Sequence, residues 1–255
     1  MTSFSQVLPL TATEALLVGV AFLISIWNTS VGPSGAVTFV TMATLLPPAA
    51  VVPIHAVTEA VANVVRTAIL RDVVDWRFVL PFALGGLLGF ACGVPLLSTV
   101  AASEALLQVI LGSFILIATW VPLARLGPEK GVFAATGGAV SSFLTLFVGA
   151  TTPLVAAAIG QRHADHRKVI DTSAGCMLYQ HAFKIPIFGV LGFSFGAYAH
   201  LLIVLVAATT IGAWIGRQLL IKAPVEIIKR IFKAVITLLA LNLLRQGLGG
   251  WIGVV

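Results

Sequence analysis

The sequence predicts an all-α polytopic membrane protein made of two inverted repeats, each a broken or re-entrant helix hairpin followed by three transmembrane helices. Composition is the first reason: of 255 residues, 59% are hydrophobic and 9% charged, and mean hydropathy is +1.07. Soluble chains carry about a quarter charged residues. The second reason is run length. The apolar segments extend for about 14 to 25 residues with few internal charges, which suits helices crossing roughly 30 Å of hydrocarbon and not the alternating strands of about ten residues found in barrels. The third is where the cations lie, because they decide how the segments thread the bilayer.

Apolar runs and their breakers divide the chain in order. The first repeat, 14–125, holds segments 14–31 and 33–46, then 49–71, 76–99 and 103–125. The second, 131–246, holds 131–148 and 151–160, then 168–190, 196–220 and 225–246. A full crossing takes about 20 residues at 1.5 Å rise, so 33–46 and 151–160 are too short. Each follows a longer segment across a Gly/Pro interruption, Val31-Gly32-Pro33-Ser34-Gly35 and Val148-Gly149-Ala150-Thr151-Thr152-Pro153. Broken hairpins are therefore expected over 14–46 and 131–160.

Short Lys/Arg-rich loops stay in the cytoplasm. With eight simple crossings, Arg71 and Arg77 fall on the opposite side from Arg162, Arg167 and Lys168. If each short segment instead returns the chain to its starting side, twelve of the fifteen Lys and Arg share one face, Arg245 lies on the other, and Arg66 and Lys184 remain in the membrane. Each half then contains an odd number of segments, so the second enters from the opposite side. Both termini come out external to the cell (inner) membrane. Ser25–Gly32 resembles Ser142–Gly149, and Gly89/Gly93 matches Gly212/Gly216, the weak internal similarity usual for inverted-repeat transporters.

The same placement of cations excludes nucleic acid as a partner despite the net charge of +6, since the charges act as topology signals. The region before the first apolar run lacks Lys and Arg, and no cleavable signal peptide is expected. Cys92 and Cys176 sit in apolar segments and read as buried thiols.

Two polar stripes interrupt the apolar helices. In 49–71, His55, Glu59, Asn63 and Arg66 fall within about 80° of one another around a helix, and an intramembrane carboxylate such as Glu59 is a functional candidate by default. Segment 168–190 offers Thr172, Cys176, Gln180 and Lys184 on one face, with Ser173 and His181 nearby. These residues are candidates for coupling or for a polar lining. Arg66 and Lys184 are near-symmetric cations on either approach to a central site. Snorkelling to the interface is the competing account of both.

The hairpin tips form the second constellation. Helix ends broken at membrane depth must be buried in protein or line a cavity, and each short helix begins with free N–H groups at the positive end of its dipole. Two such ends converging from opposite sides would cradle an anion. Asn28, Thr29, Gly32, Ser34, Gly35, Thr145, Gly149, Thr151 and Thr152 are the candidate contacts, together with Arg66 and Lys184. The glycine spacings at Gly85/Gly89/Gly93 and Gly212/Gly216 read as close helix packing. His163, Asp165 and His166 have metal-ligand chemistry without a matching cluster elsewhere, so neither metal nor cofactor is expected.

Val74-Asp75-Trp76-Arg77, the following Leu84-Gly85-Gly86-Leu87-Leu88-Gly89 with Gly93 and Leu96-Leu97, and the two equivalent broken-helix motifs resemble the TauE/SafE family of sulfite and organosulfonate permeases. The resemblance covers about 14–125 and 131–246. The family generally carries three glycines at each tip, where this chain has Gly32-Pro33-Ser34-Gly35 and Gly149-Ala150-Thr151-Thr152; these more polar tips bear on which anion is carried. The resemblance implies movement of a small sulfur oxyanion or sulfonate, most often outward; the converging hairpin tips put the expected site at the midplane, and no enzyme activity is expected. The rival readings are a transporter or channel for another small anion such as a carboxylate, and an intramembrane enzyme built from His55, Glu59 and Cys176. Expected partners are the small anionic substrate and the lipid bilayer, with a homo-oligomer left open.

Overall fold

A computed structural model describes residues 11–30, 35–69, 73–101, 103–121, 133–149, 151–160, 162–218 and 225–252. The described residues form helices α1 (Ala12–Ser30), α2 (Gly35–Leu45), α3 (Pro48–Ile69), α4 (Trp76–Ala101) and α5 (Glu104–Trp120), followed by α6 (Phe133–Val148), α7 (Thr152–Gly160), α8 (His166–Val190), α9 (Ala199–Gln218) and α10 (Val225–Ile252). A 3-10 turn at Phe195–Tyr198 leads into α9. Each segment read from the sequence is helical over its described residues, apart from end residues and the 3-10 turn; α10 runs six residues past the expected end at 246. The protein is an all-helical, multi-pass membrane protein.

Local chemistry sets several helix ends. Thr11 and Glu14 cap α1 reciprocally: the Thr11 hydroxyl accepts from the Glu14 N–H at 3.2 Å and the Glu14 carboxylate accepts from the Thr11 N–H at 2.9 Å, which satisfies two donors that a helix start leaves open. Ser103 caps α5 and Asp165 caps α8 in the same manner, from one side. At 11 and 9 residues, α2 and α7 are only about 17 and 14 Å long at 1.5 Å per residue. Both stop short of a crossing and turn back against α1 and α6.

The centre of the molecule is the pair α3 and α8. Around it, α4 packs against α6, α9 against α1, and α5 against α10. The first two contacts are backbone-close because glycines leave the space. A side chain on Gly85 or Gly89 would overlap the Ala135 or Ala139 carbonyl of α6, and one on Gly212 or Gly216 would meet the Phe22 or Ile26 carbonyl of α1. The glycine spacings are thus packing devices. The outer faces of α4 and α9 present Leu80, Leu84, Leu88, Ile203 and Trp214 to the surroundings, as lipid-facing helices do. Cys92 lies on that exposed side of α4, which corrects its reading as a buried thiol: an apolar segment has a lipid face, and hydropathy does not say which face a residue takes. Cys176 is buried as expected.

The α3–α4 and α7–α8 turns lie on one face, joined through Asp75: its carboxylate meets Arg162 at 3.3 Å and His163 at 2.8 Å. Eight simple crossings would place these turns on opposite sides.

Candidate functional site

A small polar pocket of about 10 Å³ lies between four elements. Glu59, Asn63 and Arg66 project from successive turns of α3, Asn28 comes from the end of α1, Thr152 from the start of α7, and Ser173 and Met177 from α8. Arg66 Nη2 lies 3.3 Å from Glu59 Oε2, with both side chains buried. Asn63 Nδ2 donates to the Glu59 carbonyl at 2.8 Å. Two polar atoms in this cluster have no protein partner, Arg66 Nε and Asn63 Oδ1. Buried polar groups are normally satisfied, so an unused guanidinium N–H beside a cavity is binding capacity for an acceptor. Because its head group is buried, Arg66 is not a snorkelling residue.

The start of α7 adds its dipole to this corner but fewer donors than the helix-end cradle expected from sequence. Pro153 has no N–H, and the Leu154 and Val155 N–H groups return to the Thr151 carbonyl at 3.0 and 3.2 Å.

The other candidate cation is already committed. Lys184 is fully buried; its Nζ donates to the Gly149 carbonyl at 2.9 Å and to the Thr145 hydroxyl at 3.0 Å, at the negative end of the α6 dipole. Gly149 holds φ +67°, the left-handed conformation that glycine adopts at helix ends without a Cβ penalty, and its N–H caps the Thr145 carbonyl at 3.1 Å. One turn back on α8, the Gln180 amide nitrogen donates to Ser141 and Ser142 at 2.9 and 3.1 Å, while its oxygen accepts from Thr151 at 3.1 Å. Ser141 in turn donates to Thr151 at 2.8 Å. Gly86 keeps this seam clear, since a side chain there would meet Ser142 Oγ and Tyr179. The seam pins the broken hairpin to α8 through satisfied hydrogen bonds.

A family model for the sulfite exporter TauE/SafE matches residues 17–243. The chain belongs to the TauE/SafE family. No curated protein and no solved structure matches it. The family is one of membrane transporters of sulfite and related sulfur-containing anions.

The residues singled out in the sequence therefore separate into groups. Asn28, Glu59, Asn63, Arg66 and Thr152 come together at the cavity. Thr145, Gly149, Thr151, Gln180 and Lys184 come together at the seam. Thr29 bonds the Ser25 carbonyl of its own helix at 3.0 Å. Gly35 opens α2, whereas Gly32 and Ser34 lie outside the described residues. His55 is buried between Phe39 and His181. Cys176 packs in an apolar cluster with Val74, Phe78 and Val79. Sequence reading overlooked Ser141 and Phe39, whose partners are remote in the chain; the match of Ser142 to Ser25 was the one available signal.

His163 Nε2 lies 2.8 Å from Asp75 Oδ2. Thr172 Oγ1 also accepts from the Asp75 N–H at 3.0 Å. Burial alone would raise the Asp75 carboxyl, but the hydrogen bond from His163 and the charges of Arg162 and His163 outweigh it and hold it below the usual carboxylate range. A lowered folded value stabilises above the unfolded value near 4, and that stabilisation is lost as pH falls through the folded value. Asp75→Asn should lower the melting temperature at pH 7 by about 2 to 6 °C, from roughly 1.5 kcal/mol for a hydrogen bond to a charged group. It should also flatten the loss of stability in acid below about pH 4. Identical melting curves at pH 7 for mutant and wild type would show that this junction contributes nothing.

Proposed function

We propose that this TauE/SafE chain exports sulfite or a small organosulfonate from the cytoplasm across the inner membrane, taking it from the cavity bounded by Asn28, Glu59, Asn63, Arg66 and Thr152. The observation that carries the reading is Arg66: a buried guanidinium with Nε unused, facing a polar cavity at the positive end of α7. Guanidinium suits an oxyanion because its planar fork can bond two oxygens at once. Glu59 offsets part of that charge, which moderates affinity and favours release. Lys184 serves the hairpin and not the anion in this arrangement. Export needs no coupling ion, because one charge across 100 mV is worth about 2.3 kcal/mol and a dianion leaving a negative interior therefore gains roughly 4.6 kcal/mol.

The proposal includes two inverted repeats, α1–α5 and α6–α10, with both termini external. The reciprocal packing of α4 on α6 and of α9 on α1 supports this, since a two-fold exchange of repeats maps one contact onto the other. The clustering of the Arg77, Arg162, Arg167 and Lys168 turns supports a cytoplasmic assignment for that face.

Purified protein in sealed liposomes should pass sulfite unchanged when a voltage is imposed, in a panel with thiosulfate, sulfate, taurine, sulfoacetate and acetate. Acetate flux without sulfite flux would transfer the reading to carboxylates. In cells, Val73→Cys and Ala164→Cys should be shielded from an impermeant external thiol reagent while Pro48→Cys and Ser194→Cys react. Labelling of position 73 but not 164 from outside would remove the inverted arrangement.

A further inference from the structure

Along the central pair the lining changes character in three zones. At one end, Glu59, Asn63 and Arg66 of α3 face Ser173 and Met177 of α8 around the polar cavity. At the other end, a cavity of about 450 Å³ is bounded by Pro48 and Val52 of α3, Phe188 and Leu191 of α8, Leu97 of α4 and Leu146 of α6. The zone between them is closed by rings. Phe39 of α2 is 1% exposed, its ring centroid is 5.1 Å from His55 in an edge-on arrangement, and His55 is 5.2 Å from His181.

Phe39 is set apart from the two histidines by its origin. It projects from one hairpin's short helix and fills the space beside Gly149, the break of the other hairpin, so closely that a side chain on Gly149 would overlap the ring. Its position thus depends on both hairpins at once. A displacement of either moves the ring out of the interface, whereas His55 and His181 are anchored on the long helices α3 and α8.

The geometry points to Phe39 as the barrier between the two cavities, and as the residue that sets how large an anion passes. The assignment rests on the transport reading above. An aromatic ring serves this role because it excludes water from the gap and offers an anion no donor, so passage requires the ring to move. The apolar walls of the second cavity add no competing anion site, which favours onward release over rebinding.

The test uses full-length protein in sealed vesicles, with Cys92→Ser and Cys176→Ala removing the native thiols. With Phe39 intact, Val52→Cys and Ser173→Cys should react with an impermeant thiol reagent from opposite sides only. With Phe39→Ala, Ser173→Cys should gain labelling from the Val52 side, and benzenesulfonate should join sulfite in the flux assay. Labelling of Ser173→Cys that stays one-sided in well-folded Phe39→Ala protein would overturn the assignment. Should Phe39→Ala fail to fold, Phe39→Leu keeps the apolar contact and should show a smaller gain; no gain there would overturn it equally. Because labelling needs no substrate, two-sided labelling in a protein that moves no sulfite would uphold the barrier and sink the transport reading instead.

Discussion

Gly149→Val should prevent the second hairpin from closing and lower stability, and not merely block substrate. The sequence alone suggests a folded protein with a blocked site, since glycine at a helix tip lets a ligand approach the backbone. The structure adds two costs. At φ +67° a β-branched residue is strained by at least about 1 to 2 kcal/mol, and its Cβ would overlap the Phe39 ring, which adds roughly 1 to 3 kcal/mol for overpacking. Together these amount to about 2 to 5 kcal/mol, or a fall of roughly 5 to 15 °C in melting temperature for a chain of this size. Thermal unfolding of the detergent-purified protein measures it. Adding Phe39→Ala should recover the overlap part and leave the backbone part, so the double variant should melt between Gly149→Val and wild type. A Gly149→Val protein melting with wild type would mean that the tip is built differently.

The second large effect concerns Glu59 and Arg66, 3.3 Å apart in buried surroundings. Breaking a buried pair by removing one partner costs about 3 to 5 kcal/mol, because the remaining charge is uncompensated. Glu59→Gln should therefore lower the melting temperature markedly, while Glu59→Gln with Arg66→Gln should regain most of the loss. Binding separates the roles. Arg66→Gln should weaken sulfite binding about tenfold to a hundredfold, from the 1.5 to 3 kcal/mol of a charge-assisted contact, and the double variant should remain weak despite its recovered stability. Glu59 as a proton carrier gives a different pattern: Glu59→Gln would stay stable, bind sulfite and lose its response to an imposed pH gradient. The ion pair favours the first outcome. Titration of sulfite together with liposome flux under separate voltage and pH gradients distinguishes them.

Ten helices, two of them too short to cross, could be read from the chain because the causes are local. Apolar runs end at Gly and Pro, capping residues such as Ser103 and Asp165 sit where helices begin, and a 3.6-residue period puts Glu59, Asn63 and Arg66 on one face before any partner is known. What each polar residue does with that face was not local. Arg66 and Lys184 look equivalent in sequence, yet Lys184 is occupied by the Gly149 carbonyl 35 residues away, while Arg66 keeps a donor beside a cavity. Asp75 reads as part of a short junction motif until a turn 88 residues later supplies His163. Phe39 is one apolar residue in an apolar run, and only the opposed glycine and the ring of His55 set it apart. Helix existence depends on neighbours within a turn or two, so composition and spacing contain it. Whether a buried charge is spent on the fold or left for a ligand depends on acceptors brought within about 3 Å by packing, and such pairings leave no period along the chain.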